Sequence, residues 1–100
     1  MFGECSTDYE LARLELTATH RCRVEVEREL GCCAGFVDYY ERAEWRLRKA
    51  VDLLLNGDLR NAQRYLRDGL LFKRRADEGV ATFRSNRRIL AEAAGEECPN

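Results

Sequence analysis

The sequence predicts an all-α domain of three or four helices, a bundle built on an antiparallel helical hairpin. Apolar residues recur at steps of three and four from residue 36 to 54 and mostly so again from 59 to 94, the spacing of helices that each bury one face. Proline occurs once, at Pro99, and glycine is sparse, so long helices meet few breakers. A chain of 100 residues that is 45% hydrophobic and 35% charged is too apolar for compositional disorder and of a size for one domain with one modest core.

The first helix is expected over about residues 8–30. Thr7 followed by Glu10 fits a capping box, Asp8 favours the first turn, and Leu30-Gly31 supplies a stop because Gly adopts the left-handed conformation readily. A competing pattern lies inside it: Leu14, Leu16, Ala18, Cys22, Val24 and Val26 alternate with polar residues as in a half-buried strand. One strand of that length is unusual and hairpin turn residues are missing near His20, so helix is the preferred reading.

The second helix, about 36–55, carries Phe36, Tyr40, Ala43, Leu47, Ala50 and Leu54 on one face, with Val51 widening it. Asp38 with Arg42 and Glu44 with Arg48 read as solvent-side pairs four apart. Asn56-Gly57-Asp58 ends this helix, and Asp58 caps the next. The third apolar series is Leu59, Ala62, Leu66, Leu70, Ala76, Val80, Phe83, Leu90 and Ala94. Unbroken, that helix would reach about 54 Å at about 1.5 Å per residue, long for a compact monomer of this size. It therefore either protrudes, with a homodimer as one use of the extension, or breaks near Gly79 into helices of about 59–77 and 80–94. Residues 95–100 read as a frayed acidic tail.

Gly57-Asp58-Leu59, Ala62, Leu66, Gly69 and Leu70 resemble the second helix of a tetratricopeptide repeat, with Ala43 to Asn56 in the place of its first. Trp45 stands one place off that pattern, Lys49 and Ala50 sit around its usual Leu-Gly pair, and no second copy follows, whereas such repeats are stable in stacks of about three or more. The resemblance implies a scaffold that binds peptides or proteins.

Charge is segregated. Arg60, Arg64, Arg67, Lys73, Arg74, Arg75, Arg84, Arg87 and Arg88 stand against only Asp68, Asp77 and Glu78 in residues 59–88, while the whole chain has a net charge of −1. The balance of arginine over lysine fits a GC-rich genome, bacterial or phage, and also suits bidentate contacts to carboxylate and phosphate. On a helical wheel Arg60, Arg64, Arg67 and Arg74 form one ridge, and Lys73, Arg84, Arg87 and Arg88 a second basic patch. Glu15, Glu25, Glu27 and Glu29 of the first helix are the acids available to neutralise them. Trp45 lies about 180° from the apolar face of its helix. It is either covered by the first helix or exposed as a partner anchor.

Chemistry is poorly represented. His20 is the single histidine, with no motif joining it to a nucleophile. Cys5, Cys22, Cys32, Cys33 and Cys98 are odd in number and lack the Cys-x-x-Cys spacing of a zinc site. No phosphate-cradling glycine motif occurs, and no carboxylate pair stands out. The expectation is a non-enzymatic protein without cofactor or metal. The start has no secretory pattern and no apolar run of spanning length, which suggests a cytoplasmic location and no membrane partner.

The function expected is a protein-interaction module, adaptor or inhibitor, that binds an acidic surface of a larger protein through Trp45, Arg60, Arg64, Arg67 and Arg74. The alternative is a nucleic-acid-binding accessory protein using residues 60–88, with contacts from Lys73, Arg75, Arg84, Arg87 and Arg88. Its long paired helices fit recognised DNA-binding turns poorly.

Overall fold

The computed structural model describes residues 2–31 and 35–97, with side chains described over 7–31 and 35–94. Those residues form three α-helices that pack on one another: α1 (Phe2–Leu30), α2 (Gly35–Leu55) and α3 (Leu59–Glu97). No strand occurs among the described residues.

In α1 the buried positions are Ala12, Thr19 and Val26, seven apart, with Leu16, Cys22 and Leu30 half-buried beside them. This is a helical face. Leu14, which began the strand-like alternation, is exposed, so that alternation joins residues on opposite sides of a helix. Thr19 is tolerated in the face because its Oγ1 donates to the Glu15 carbonyl at 2.6 Å, within its own helix. The helix also starts earlier than the Thr7 cap suggests, at Phe2. No proline interrupts residues 2–7, so Thr7 lies inside the helix rather than ahead of it.

Helix α2 buries Val37, Tyr40, Ala43, Leu47 and Ala50. Asp38 and Arg42 pair at 3.0 Å on its exposed side. Glu44 does not pair outward with Arg48. It lies seven residues beyond Val37 on the same face, is 7% exposed, and turns to α1, where its carboxylate meets His20 Nδ1 and Arg23 Nε, each at 2.9 Å. Arg23 also donates to Glu27 at 2.7 Å. A carboxylate taken from water is tolerated because both its oxygens are engaged.

Gly57, at φ 80°, closes α2: its N–H donates to Leu54 O at 3.1 Å and that of Asp58 to Leu53 O at 2.9 Å, the paired bonds of a Schellman stop. Asp58 then caps α3 by accepting from the Asn61 N–H at 3.3 Å.

Of the two courses open to the third helix, the unbroken one is found and the break near Gly79 is not: one helix runs through it to Glu97, and Gly95 is likewise helical, while residues 98–100 of the expected tail lie outside the described residues. Gly69 and Gly79 are notches. A Cβ on Gly79 would come within 2.6 Å of Phe36 Cε1, and one on Gly69 within 2.8 Å of Leu47 Cγ and 3.3 Å of the Leu47 backbone nitrogen. The helix keeps residues that cost it about 1 kcal/mol each against alanine because α2 presses into the space they leave. Thirty-nine residues make α3 about 58 Å long, which accounts for a molecule of 62 × 24 × 17 Å. Every residue from Ala81 to Ala94 is exposed, so its end protrudes.

Gly69→Ala is expected to destabilise the protein by about 1 kcal/mol in urea unfolding, since overpacking of about 1–3 kcal/mol outweighs the gain in helix propensity. An unchanged or raised midpoint would mean that α2 and α3 do not depend on this close approach.

Candidate functional site

Small residues set the spacing of α2 and α3, and large ones collect at the edge of their seam. Three aromatic pairs cross it in opposite order along the two helices: Phe36 with Phe83 at 6.1 Å, Tyr39 with Phe72 at 6.0 Å, and Trp45 with Tyr65 at 5.9 Å between ring centroids. Arg46 lies over Phe72, its guanidinium carbon 4.3 Å from the ring centroid, and 5.8 Å from that of Trp45. Such stacking holds a cation in place on an aromatic face.

At one end of the seam these residues enclose a groove of about 530 Å³, lined by Trp45, Arg46, Lys49 and Leu53 of α2 and by Asn61, Arg64, Tyr65 and Asp68 of α3. A second hollow of about 490 Å³ lies at the other end, around Phe36, Gly79, Phe83 and Arg75. Helix α1 contributes no described residue to either. It occupies the other side of the seam, where Cys22, Glu25 and Val26 line a smaller cavity of about 130 Å³ with Tyr40, Asp77, Val80, Ala81 and Arg84.

Trp45 is therefore not covered by α1; it is 54% exposed, edge-on to Tyr65 at the mouth of the groove. Arg64 is brought beside it. Arg60 and Arg67, one turn to either side of Arg64, are exposed, as is Arg74, whose nearest acid is Glu78 at 3.8 Å. Arg75 belongs to the second hollow, so the ridge and Trp45 meet only at Arg64.

The second basic patch divides differently. Lys73 is half-buried and donates to Glu15 at 3.1 Å. Partial burial works against its ammonium, but the hydrogen bond and charge of Glu15 outweigh it and hold the pKa above its usual value. Arg84 grips Glu29 with two bonds, at 2.6 and 3.2 Å, and Arg87 stands 3.9 Å from the same carboxylate. The Arg84 hydrogen bond and charge keep Glu29 below the usual carboxylate value. Arg88 is exposed beside them.

The polar groups under α1 serve packing. Tyr40 donates to Asp77 at 2.6 Å, and burial together with that bond pushes its phenol well above the ordinary range. Burial, with Asp77 nearby, also raises the Cys22 thiol, which disfavours the reactive thiolate. No three His, Cys, Asp or Glu side chains gather in metal-binding range among the described residues; Cys32, Cys33 and Cys98 lie outside those residues, and the side chain of Cys5 is not described. No described helix is long and apolar enough to cross a membrane.

Sequence reasoning missed Tyr39, Arg46 and Phe72 as parts of one surface. The signal was present as Tyr39-Arg46-Leu53 on α2 and Tyr65-Phe72-Gly79 on α3, two seven-residue series that flank the buried faces. No protein-family model, curated protein or solved structure matches this chain.

The Glu29–Arg84 pair has a defined pH signature. Because the folded-state pKa of Glu29 is lowered, its contribution to stability is present above the unfolded carboxylate value and disappears as pH falls through the folded one. An NMR titration should place the Glu29 midpoint below that of a free glutamate and return it to the ordinary value in Arg84→Ala. Equal midpoints in both proteins would mean that the pair does not hold in solution.

Proposed function

We propose that this chain is a small cytoplasmic protein-interaction module, an adaptor or inhibitor, that binds an acidic surface of a larger protein. In this reading the α2–α3 hairpin and α1 form a three-helix bundle that acts as scaffold for the groove at Trp45. The observation that carries it is a half-exposed indole, supported edge-on by Tyr65 and flanked by Lys49 and Arg64. Trp and Arg are the side chains that most often dominate binding energy at protein interfaces. Arg60 and Arg67 extend the positive surface along α3, which favours an acidic partner both in steering and in contact.

The same observations weigh against nucleic acid. Polyanion binding rests on many uncommitted cations, and Lys73 and Arg84 already engage Glu15 and Glu29. Enzymatic chemistry has equally little support: His20 is held between Glu44 and Arg23, with no nucleophile placed against it.

In affinity capture from a native lysate at moderate salt, the intact protein should retain a stoichiometric protein partner. Trp45→Ala should weaken that capture by about 2 kcal/mol or more, about thirtyfold, as should the triple Arg60, Arg64 and Arg67→Glu variant. Retention of every partner by both variants would refute the proposal. Bound material absorbing at 260 nm and lost as salt rises would replace it with nucleic-acid binding.

A further inference from the structure

Helix α1 shows what covers one side of the α2–α3 seam. It lays Ala12 and Val26 into the core clusters that α2 and α3 share, and its glutamates reach the cations of α3, Glu15 to Lys73 at 3.1 Å and Glu29 to Arg84 at 2.6 Å. Lys73 and Arg84 stand eleven residues apart, about three turns. The other side of the seam has parts of the same kind. Tyr65, Phe72 and Phe83 meet rings of α2 along it, and hollows of about 530 and 490 Å³ open toward its two ends. Both hollows lie on one flank of α3, because Asn61 and Asp68 of the first are followed at seven-residue steps by Arg75 and Thr82 of the second. From Tyr65 to Phe83 this flank runs about 27 Å.

The charges differ between the two sides. Arg64 and Arg75 repeat the eleven-residue spacing of Lys73 and Arg84 on the flank turned away from α1. Neither makes a hydrogen bond or ion pair with another described residue, and the same holds for Lys49 across the groove. Arg46 donates to the Arg42 carbonyl at 3.2 Å and lies over Phe72, between the two hollows. Against these four cations the two hollows set only Asp68 and Glu78, and Glu78 already stands 3.8 Å from Arg74. The flank is therefore apolar along its floor and short of carboxylates along its edges. Helix α1 supplies such carboxylates on its own side, from Glu15 and Glu29, fourteen residues or about four turns apart.

We infer that the side of the α2–α3 seam opposite α1 is a docking groove for one acidic amphipathic helix of the partner, laid along it from Trp45 to Phe83. The inference rests on the reading of the chain as an interaction module and gives the bound segment its chemistry. A helix of about 18 residues spans the distance. Its apolar face rests on Trp45, Tyr65 and Phe72, as helices bound in grooves do. Its carboxylates, three to four turns apart, meet Arg64 and Arg75, with Lys49 at the α2 edge. An extended segment has less to hold it, because both walls are helices whose backbone bonds are internal and offer no strand edge to pair with.

Trp45 is the chain's single tryptophan and is 54% exposed, so its fluorescence reports the groove directly. The probe is a synthetic helix of about 18 residues, built on alanine with a leucine stripe, free of tryptophan, with two glutamates about three turns apart beside the stripe. Titrated into the full chain, it should shift Trp45 emission to the blue saturably, with a Kd below about 100 µM; no saturable shift would overturn the inference. The same peptide with lysine in place of both glutamates should bind at least about tenfold more weakly, and equal binding would remove charge as the basis of recognition. A central proline, which breaks the helix, should abolish binding; undiminished binding would make the occupant an extended chain instead. A blue shift on concentrating the protein alone would assign the groove to a second copy. By anisotropy of the labelled peptide, Arg75→Glu should weaken binding about tenfold, and lysine in place of one peptide glutamate should recover it, whereas Arg74→Glu, on the adjoining solvent face, should change little. Lysate capture that depends on Trp45 but not on Arg75 would leave the proposed function standing and overturn the helix along the seam.

Discussion

The close approach of α2 and α3 governs the rest of the molecule. Ala43 and Ala50 on one helix face Ala62, Gly69 and Ala76 on the other side of the core, and Leu47 sits where any side chain on Gly69 would collide with it. Around Gly69 the backbones are too near for a ring to lie between them, whereas Phe36 and Tyr40 enter the seam only nearer its other end, beside Gly79, Ala76 and Val80. Tyr39, Trp45, Tyr65 and Phe72 are consequently displaced to the margin of the seam, where they meet in pairs across it. The groove is thus a product of packing: the small residues that join the helices are what drive the aromatic ones outward.

Helix α1 is joined on different terms. It meets α2 far more than α3, and much of its attachment is polar: Glu44 pairs with Arg23 and hydrogen-bonds His20, Glu15 pairs with Lys73, and Glu29 with Arg84. Breaking one partner of the Glu44 cluster would leave a buried charge exposed to the full cost of desolvation, whereas the more exposed Glu29 pair contributes little by itself. This division sorts the cations of α3. Those directed to α1 are spent within the fold, and those on the groove side, Arg64 with its neighbours Arg60 and Arg67, are exposed to solvent. A net charge near zero therefore conceals a surface that is locally basic.

The helices and their stop at Gly57 were legible because each rests on local spacing and turn chemistry that one sequence displays. The face of α1 was not, because Thr19 and Ala12 hold core positions that a search for large apolar residues passes over, while exposed Leu14 drew attention away. Glu44 was misread for a related reason. Four residues before Arg48 it has the form of a surface pair, and only the arrival of His20 and Arg23 from another helix makes its burial tolerable. Gly79 looked like a breaker because intrinsic propensity counts its cost and cannot count Phe36, which requires the space. Trp45 was recognisable as misplaced on its own helix, but its support, Tyr65, belongs to another.

The groove at Trp45 and the exposed end of α3 are two uncovered surfaces that lie far apart. The groove is lined from residues 45–53 and 61–68, near the start of α3, while the exposed end reaches about fourteen residues past Val80, near its finish. At about 1.5 Å per residue, Arg64 and Leu90 are about 39 Å apart along one helix. A helix broken at Gly79 would not hold these two surfaces so far apart, because only an unbroken run fixes their separation.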